Sequence, residues 1–239
     1  GGGTSAANSG RAQVCEGHLD PLNLTLIRDG LKKHATLEEE LGASHDWHRI
    51  GLFLLIRDEI QWNLWKERSR ILTKAGIPTE VVDCQSLQKA EPRMNTSGLL
   101  GAAYSVEGSL NPLKFTQAYA RAARRFGADI RGNSTVIGME VRNQKVTIVK
   151  TARETFCADK IAVMAGAWEP IVTRMAGVEV PIRHTHAEAL ITEPIPPGQI
   201  ASIAALRMIS VPSRAVASSA SSSTSMSPGR RPACSILAR

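Results

Sequence analysis

The sequence lacks paired cysteines, a long apolar run and the motifs of hydrolytic nucleophiles. No two cysteines form a CxxC pair, so they predict neither a disulfide framework nor a zinc ribbon; the four are Cys15, Cys84, Cys157 and Cys234. This pattern favours a reducing, cytoplasmic location. The longest strongly apolar run, residues 50–56, is much shorter than the roughly 20 residues that cross a bilayer. No charged-then-apolar leader opens the chain, so we expect a soluble protein with no integral membrane segment.

The net charge of +7 is concentrated at the carboxyl end of the chain. Residues 207–239 contain five arginines, ten serines and no acidic residue, whereas residues 1–206 carry 24 basic and 22 acidic side chains. The nearly balanced part predicts no phosphate-binding stripe, so no nucleic-acid partner is expected. The composition at the end predicts a disordered Ser/Arg-rich tail over residues 201–239. A basic tail that touches nucleic acid is the alternative for this segment.

The first half of the chain alternates helical and strand patterns. Apolar spacing predicts a helix from Leu24 to Leu41 that ends at Gly42. A second helix is predicted over residues 58–75, with Ile60, Leu64, Ile71 and Ala75 facing inward. A third spans residues 112–126, with Ala118, Ala122 and Phe126 on one face. Between them we predict a short helix at residues 85–90 and strands at residues 50–56, 79–83 and 99–104.

From residue 134 the apolar period changes from 3.6 to 2, which predicts an antiparallel meander. Two of its strands, residues 134–141 and 145–150, flank a turn at residues 142–144, and residues 155–157 add a third strand. Further elements are predicted after the meander: a strand at residues 160–164, a helix at residues 169–176 and a strand at residues 180–192.

The turn between the strand at residues 160–164 and the next helix is a candidate phosphate site. Gly166 has no Cβ and lets the backbone approach a ligand closely, while free N–H groups at a helix start favour negative charge. The same pattern also describes an ordinary structural connection in an α/β domain.

Histidines and carboxylates recur at two places, but neither predicts a metal site. His184, His186 and Glu188 alternate along a predicted strand and would face one side. Polar residues on one side of a strand usually line a solvated or cofactor-facing surface, and we expect no metal here. His45 and His48, beside Asp46, are expected in an exposed polar loop. No GxSxG elbow or Cys/His nucleophile pattern supports a hydrolase.

Several segments, in one order, resemble the FAD-dependent D-amino acid oxidase superfamily, and particularly its branch of glycine and sarcosine oxidases, opine oxidase subunits and hydrogen cyanide synthase subunits. The most specific are Gly101–Tyr104 and Gly108–Pro112; Gly3–Gly10, Ser134–Val136 and Ala165–Trp168 are similar to the family's flavin-contacting segments. The resemblance implies FAD as cofactor. It also implies the cofactor-binding residues Thr4, Ser5, Asn8, Ser9, Val136, Ala165, Gly166 and Trp168. No catalytic residue is assigned.

The implied fold is α/β, with an incomplete FAD-binding Rossmann-like domain interleaved with an antiparallel-sheet substrate domain. The predicted segments are residues 1–44 and 112–178 for FAD binding, 45–111 and 179–200 for the substrate, and the tail. The family's dinucleotide fingerprint is expected before residue 1, and the Ser/Arg-rich tail replaces the family's final segment.

The implied reaction is oxidation of the carbon–nitrogen bond of an amino acid, N-methyl amino acid or opine, with a small-molecule amino acid or amine as substrate. The resemblance also allows a partner subunit of a heteromeric dehydrogenase. The alternative is a catalytically inactive, truncated remnant that does not hold FAD, since loss of a central strand would expose apolar faces and unpaired edges.

Overall fold

The computed structural model describes residues 3–5 and 8–183, together with the backbone of residues 203–204 and 237–238. Its contacts divide the chain into two compact units. The first, here called the sheet unit, comprises Gly10–Asn111 and Ile191–Thr224; the second, the meander unit, comprises Gly1–Ser9, Pro112–Leu190 and Ser225–Arg239. The assignment of cofactor and substrate roles to segments of the chain stays a prediction.

The sheet unit is built on one sheet with helices between its strands. Its elements in chain order are β1 (Arg11–Ala12), α1 (Pro21–Leu41), β2 (His48–Ile56), α2 (Glu59–Lys74), β3 (Thr79–Asp83), α3 (Cys84–Ala90) and β4 (Gly101–Ser109), followed much later in the chain by β9 (Ile203–Ala204). The strands pair antiparallel except for β9, which pairs parallel with β2. β4 is central. One edge pairs with β2 along its whole length, and the other pairs with β3 at its beginning and with β1 at its end.

The ends of the sheet-unit helices lie within one residue of their predicted positions, except that α1 begins at Pro21, three residues before the predicted Leu24. The carboxylates of Asp20 and Asp58 accept the backbone N–H of the third residue of α1 and of α2, respectively. α1 ends at Gly42, whose φ of 63° lies in the left-handed region that favours glycine. β4 is longer than predicted and continues to Ser109, through polar residues whose partners are distant in the chain.

The two faces of the sheet pack against different elements. Leu52, Leu54 and Ile56 are buried on the face covered by α1 and α2. Phe53 lies on the opposite face and packs near the buried Leu87 of α3. This alternation follows from the period of two along a strand.

The inward face predicted for α2 is wrong at Ile60 and Leu64, whereas Ile71 and Ala75 are half-buried. Ile60 is 82% exposed and Leu64 is 59% exposed, whereas Trp62, Trp65 and Leu72 pack against the sheet. The two indole rings bury more apolar area than the aliphatic side chains on the predicted face, and they set the rotation of the helix.

The meander unit contains α4 (Pro112–Arg125) and a three-stranded meander. The remaining elements are β5 (Asp129–Ile130), β6 (Val136–Arg142), β7 (Lys145–Thr151), β8 (Thr155–Cys157), a 3₁₀ turn (Gly166–Trp168), α5 (Glu169–Arg174) and β10 (Leu237–Ala238). The order β6-β7-β8 confirms the predicted meander. Asn143 and Gln144 both have positive φ, as the favoured two-residue hairpin turn requires.

Three predictions for the meander unit are corrected. Phe126 is 75% exposed, because the helix face is closed by the small buried residues Ala118 and Ala122. Within the described part of the chain, residues 160–164 pair with no other strand, so this apolar segment lacks the ladder that defines a strand. Residues 180–183 form no strand either, and the rest of that predicted strand, residues 184–192, lies outside the described residues.

None of the helices in the described ranges combines the length and the apolar character that a membrane crossing requires.

Candidate functional site

In the meander unit, the opening loop lies against the turn that follows residues 160–164. A Cβ added to Gly3 would lie 3.1 Å from Cη2 of the Trp168 ring, and one added to Gly166 would lie 3.8 Å from Oγ1 of Thr4. Two segments more than 160 residues apart in the chain are therefore in contact. They are the two segments from which most of the predicted flavin-binding residues come.

Glycine is required at both contact points. Gly3 has a φ of 98° and Gly166 has a φ of 57°, and side chains other than hydrogen rarely adopt this region. At Gly3 a side chain would also press on the Trp168 ring. The backbone of each glycine therefore lies beside a side chain of the other segment, and Gly166 stays exposed.

The exposed groups at this contact suit a phosphate or ribose. Thr4 and Ser5 are exposed and carry hydroxyl groups, which donate to and accept from such ligands. The backbone of Gly166 is open to a ligand because no side chain covers it. The residues present therefore fit part of a dinucleotide such as FAD.

The predicted contribution of a helix N-terminus is smaller than the sequence suggests. Gly166–Trp168 is a 3₁₀ turn, and the α5 helix that follows has only six residues. Pro170 at its second position has no N–H to offer. Anion binding here depends on the turn and on hydroxyl groups more than on a helix dipole.

The other predicted residues lie in less informative positions. Asn8 and Ser9 are exposed and follow the opening loop, and Ala165 is half-buried immediately before Gly166. Val136 is buried at the start of β6, opposite Thr151 of β7. The structure brings together Thr4, Gly166 and Trp168, with Ser5 and Ala165 adjacent to them in the chain. The FAD-binding role of all eight residues stays a prediction.

The expectation of an exposed polar loop at His45 and His48 is wrong for His45, which is fully buried, whereas His48 is exposed at the start of β2. Glu38 of α1 organises this loop: its Oε1 accepts the backbone N–H of His45 at 2.7 Å and that of Trp47 at 3.3 Å. These hydrogen bonds, with one from the Ser44 hydroxyl, lower the pKa of Glu38 to about 2. The His34 ring stacks on Trp47 at 4.1 Å. His45 is thus part of a packed loop that Glu38 holds in place.

Across the ranges that the structure describes, no group of three histidine, cysteine, aspartate or glutamate side chains is placed to hold a metal ion. His184, His186 and Glu188 lie outside the described residues.

A buried carboxylate in β4 was not anticipated from the sequence. Glu107 is fully buried, and its Oε2 accepts a hydrogen bond from the Arg11 guanidinium at 2.9 Å. Its Oε1 accepts the N–H of Val14 at 3.1 Å and the thiol of Cys15 at 3.3 Å. Burial, followed by the nearby Glu107 charge, raises the pKa of Cys15 far above its usual range, so this thiol stays neutral.

Arg11 also pairs with Glu16 at 3.1 Å. The cluster fixes the segment after β1 against β4. The clue in the sequence was a lone carboxylate inside an otherwise small and apolar strand.

The sheet unit has a cleft of about 360 Å³ between the end of α2 and the start of β3. Its lining residues are Thr73, Pro78, Thr79, Glu80, Tyr104 and Val106.

A family model and several named proteins are similar to this chain. The family model described as DAO, FAD dependent oxidoreductase, matches residues 1–219. Mitochondrial sarcosine dehydrogenase of Mus musculus is 29% identical over 165 residues, which are 66% of this chain and 18% of that protein. Sarcosine oxidase subunit beta of Rhodobacter capsulatus is 23% identical over 202 residues, which are 82% of this chain and 48% of that protein. The matched region thus spans less than half of each curated relative.

The fold is also that of solved structures. L-proline dehydrogenase from P. horikoshii superposes with a TM-score of 0.67 at 22% identity, over 78% of this chain and 50% of that one. This similarity confirms the predicted fold class. The family model confirms the resemblance inferred from the sequence and FAD as the cofactor of the family.

Proposed function

We propose, from the premise that this chain belongs to the FAD dependent oxidoreductase family, that it binds FAD and oxidises the carbon–nitrogen bond of an amino acid, an N-methyl amino acid or an opine. The observation that carries the proposal is the contact between the Gly3–Thr4 loop and the Gly166–Trp168 turn. Thr4, Gly166 and Trp168, which the sequence resemblance implies as FAD-binding residues, lie together there although they are far apart in the chain.

FAD, when bound, supplies the acceptor for the hydride that leaves the substrate carbon. The residues of this chain bind the cofactor and orient it. Thr4 and Ser5 offer hydroxyl groups to phosphate or ribose oxygens, and the exposed backbone of Gly166 offers a surface that a side chain would block. Trp168 packs against Gly3 and holds the loop in place.

The substrate class follows from the names of the relatives. Sarcosine, which one relative oxidises, is an N-methyl amino acid, and L-proline is a secondary amino acid. Both place a carbon–nitrogen bond next to a carboxylate. We extend this class to the present chain and to the opines of the resembling subfamily.

We further propose that the segments act as the sequence analysis expects, with flavin contacts from residues 1–44 and 112–178 and substrate contacts from residues 45–111 and 179–200. One similar protein is a beta subunit by name. For that reason we include in the proposal that this chain binds a partner subunit within a heteromeric dehydrogenase.

Titration of the purified chain with FAD tests the function. We expect a yellow protein whose bound flavin follows added FAD to saturation. Thr4→Val, which keeps the shape and removes the hydroxyl, should weaken FAD binding by about tenfold if that hydroxyl bonds a phosphate.

Gly166→Ala should weaken FAD binding further, because it adds a methyl group at the contact. Gly127→Ala is the matched control, since Gly127 also has a positive φ of 85° in the same unit, with nothing within 4 Å of the added Cβ. A colourless chain that takes up no FAD would instead support the hypothesis of an inactive remnant. Equal FAD affinities of the Gly166 and Gly127 variants would show that the proposed FAD site is not at Gly166.

A further inference from the structure

The cleft of about 360 Å³ in the sheet unit lies where one edge of β4 is not covered by a neighbouring strand. β3 pairs with β4 as far as Ser105, and β1 pairs with it only from Gly108 onward. Between these two pairings, Val106 and Glu107 have no strand partner on that edge among the described residues. Val106 accordingly lines the cleft.

Two local features keep this edge of β4 open. Pro78 precedes β3 and has no N–H to donate to a ladder, which favours an end of the pairing there. On the other side, the Glu107 carboxylate accepts the N–H groups of Val14 and Cys15, so the chain after β1 turns towards that carboxylate instead of continuing along β4. The gap between β3 and β1 is therefore built into the sequence on both sides.

Glu80 is the one charged residue among the six that line the cleft. Its side chain is exposed, and within the described part of the chain its carboxylate has neither an ion pair nor a hydrogen bond. The register places Glu80 directly opposite Tyr104, on the same face of the sheet. The cleft thus presents an uncompensated negative charge beside an aromatic side chain.

The position of the Tyr104 ring leaves space beside Glu80. The ring lies over Gly51 of β2, where an added Cβ would stand 2.6 Å from Cε2 and from the hydroxyl oxygen. Because β2 and β3 pair with opposite edges of β4, the ring leans away from Glu80. Tyr104, Pro78 and Val106 give the cleft an apolar wall next to the carboxylate.

We propose that this cleft binds a small organic ammonium ion that carries no carboxylate, with Glu80 as its counter-ion. The ammonium N–H groups donate to the Glu80 carboxylate, and the alkyl part lies on Pro78 and Val106. A volume of about 360 Å³ is at the lower end of the range of small-molecule sites, so the ligand is small.

The charge of the cleft sets its ligand class apart from that of the proposed substrate. None of the six lining residues is basic, so a carboxylate on the ligand is repelled by Glu80 with no cation beside it to compensate. An amine therefore binds here in preference to an amino acid. The inference goes beyond the proposed function and does not depend on FAD.

Titration of the full chain with propylammonium chloride at neutral pH, followed by saturation-transfer NMR, tests this proposal. An alkylammonium ion keeps its charge at that pH, as a lysine side chain does. We expect saturable binding. Propanol, which lacks the charge, and β-alanine, which adds a carboxylate, should each bind at least about tenfold more weakly. Glu80→Gln, which removes the charge and keeps the shape, should weaken propylammonium binding by about tenfold.

Two further variants separate the role of Glu80 from general effects. Glu80→Asp keeps the charge and should retain propylammonium affinity within about threefold. Glu39→Gln is the matched control, because Glu39 is an exposed glutamate of α1 in the same unit, and it should bind like the wild type. Absence of saturable binding, equal affinities in the Glu80→Gln and Glu39→Gln variants, or propanol binding as tight as that of propylammonium would overturn the site. The FAD titration is a separate measurement, so neither result decides the other.

Discussion

The central strands of the sheet unit and residues 160–182 of the meander unit are both apolar, but they are buried to different extents. β2 pairs with β4 at all nine of its residues, and Leu52, Leu54 and Ile56 are at most 3% exposed. In the other region, Val172 and Thr173 of α5 are buried, but Met164 is 83% exposed and Val178 is 52% exposed. An apolar pattern therefore produces burial only where a partner strand or helix covers it.

This difference in burial separates the packed core from the candidate flavin-binding contact. The sheet unit has a core that is complete on the face of α1 and α2, with Leu72 and Ile77 almost fully buried. The candidate flavin contact lies beside the sparsely covered region instead, at exposed backbone and hydroxyl groups. Such exposed, closely approaching backbone is suited to a ligand, whereas the packed sheet is suited to holding side chains in place.

Among the variants that test this difference in burial, we expect the largest loss of stability from a substitution of Glu107. Glu107→Ala removes a fully buried carboxylate and leaves the N–H groups of Val14 and Cys15 without their acceptor. We expect the free energy of unfolding to fall by about 3–5 kcal/mol, as measured by urea denaturation followed by circular dichroism.

Glu67→Ala is the control for this prediction. Glu67 also pairs with an arginine, Arg70, at 2.6 Å, but on the exposed surface of α2. Its removal should not measurably change the unfolding midpoint. Similar losses in the two variants would show that the buried cluster does not distinguish the sheet interior.

A second pair of variants compares the two regions directly. Leu72→Ala removes a fully buried side chain from the sheet core and should lower the free energy of unfolding by about 3 kcal/mol. Met164→Ala changes a side chain that is 83% exposed and should alter it by no more than about 0.5 kcal/mol. Comparable losses in urea denaturation would contradict the contrast, since they would mean that Met164 is covered in solution.

Local chemistry predicted much of the fold. The helix stop at Gly42 and the hairpin turn at Asn143 follow from the conformations that these residues adopt. The face of α2 could not be predicted, because packing of Trp62 on the sheet decides it. The extension of β4 was missed for a similar reason: the buried charge of Glu107 is tolerated only because Arg11, distant in the chain, pairs with it.

The candidate site was predictable only in its pieces. Family resemblance pointed to Thr4 and Gly166 separately, and their meeting is a contact between distant segments that no local pattern contains. The Tyr104 ring of β4 lies over Gly51 of β2, where an added Cβ would stand 2.6 Å from the ring, and this contact is likewise non-local because the register of the two strands sets it. The only sign of it in the sequence was Gly51, a glycine inside a strongly apolar strand.

The smallest expected effect compares one carboxylate from each unit. Hydrogen bonds from backbone N–H groups and a hydroxyl lower the pKa of Glu38 to about 2. Glu140 of β6 also has a lowered pKa, but chiefly because of Lys150, whose Nζ lies 2.5 Å from its Oε1, and then Arg142. Salt screens exposed charge pairs far more than it affects short hydrogen bonds.

Carboxyl ¹³C NMR titrations at low and high salt measure this difference. Added salt should raise the pKa of Glu140 towards its ordinary value of 4.5 and leave that of Glu38 near about 2. Because the folded-state pKa of Glu38 is depressed, its contribution to stability is present above pH 4.5 and is lost as the pH falls towards 2. Glu38→Gln should remove that pH dependence. An equal response of both carboxylates to salt would mean that the Glu38 loop is held by charge pairing instead of by its backbone hydrogen bonds.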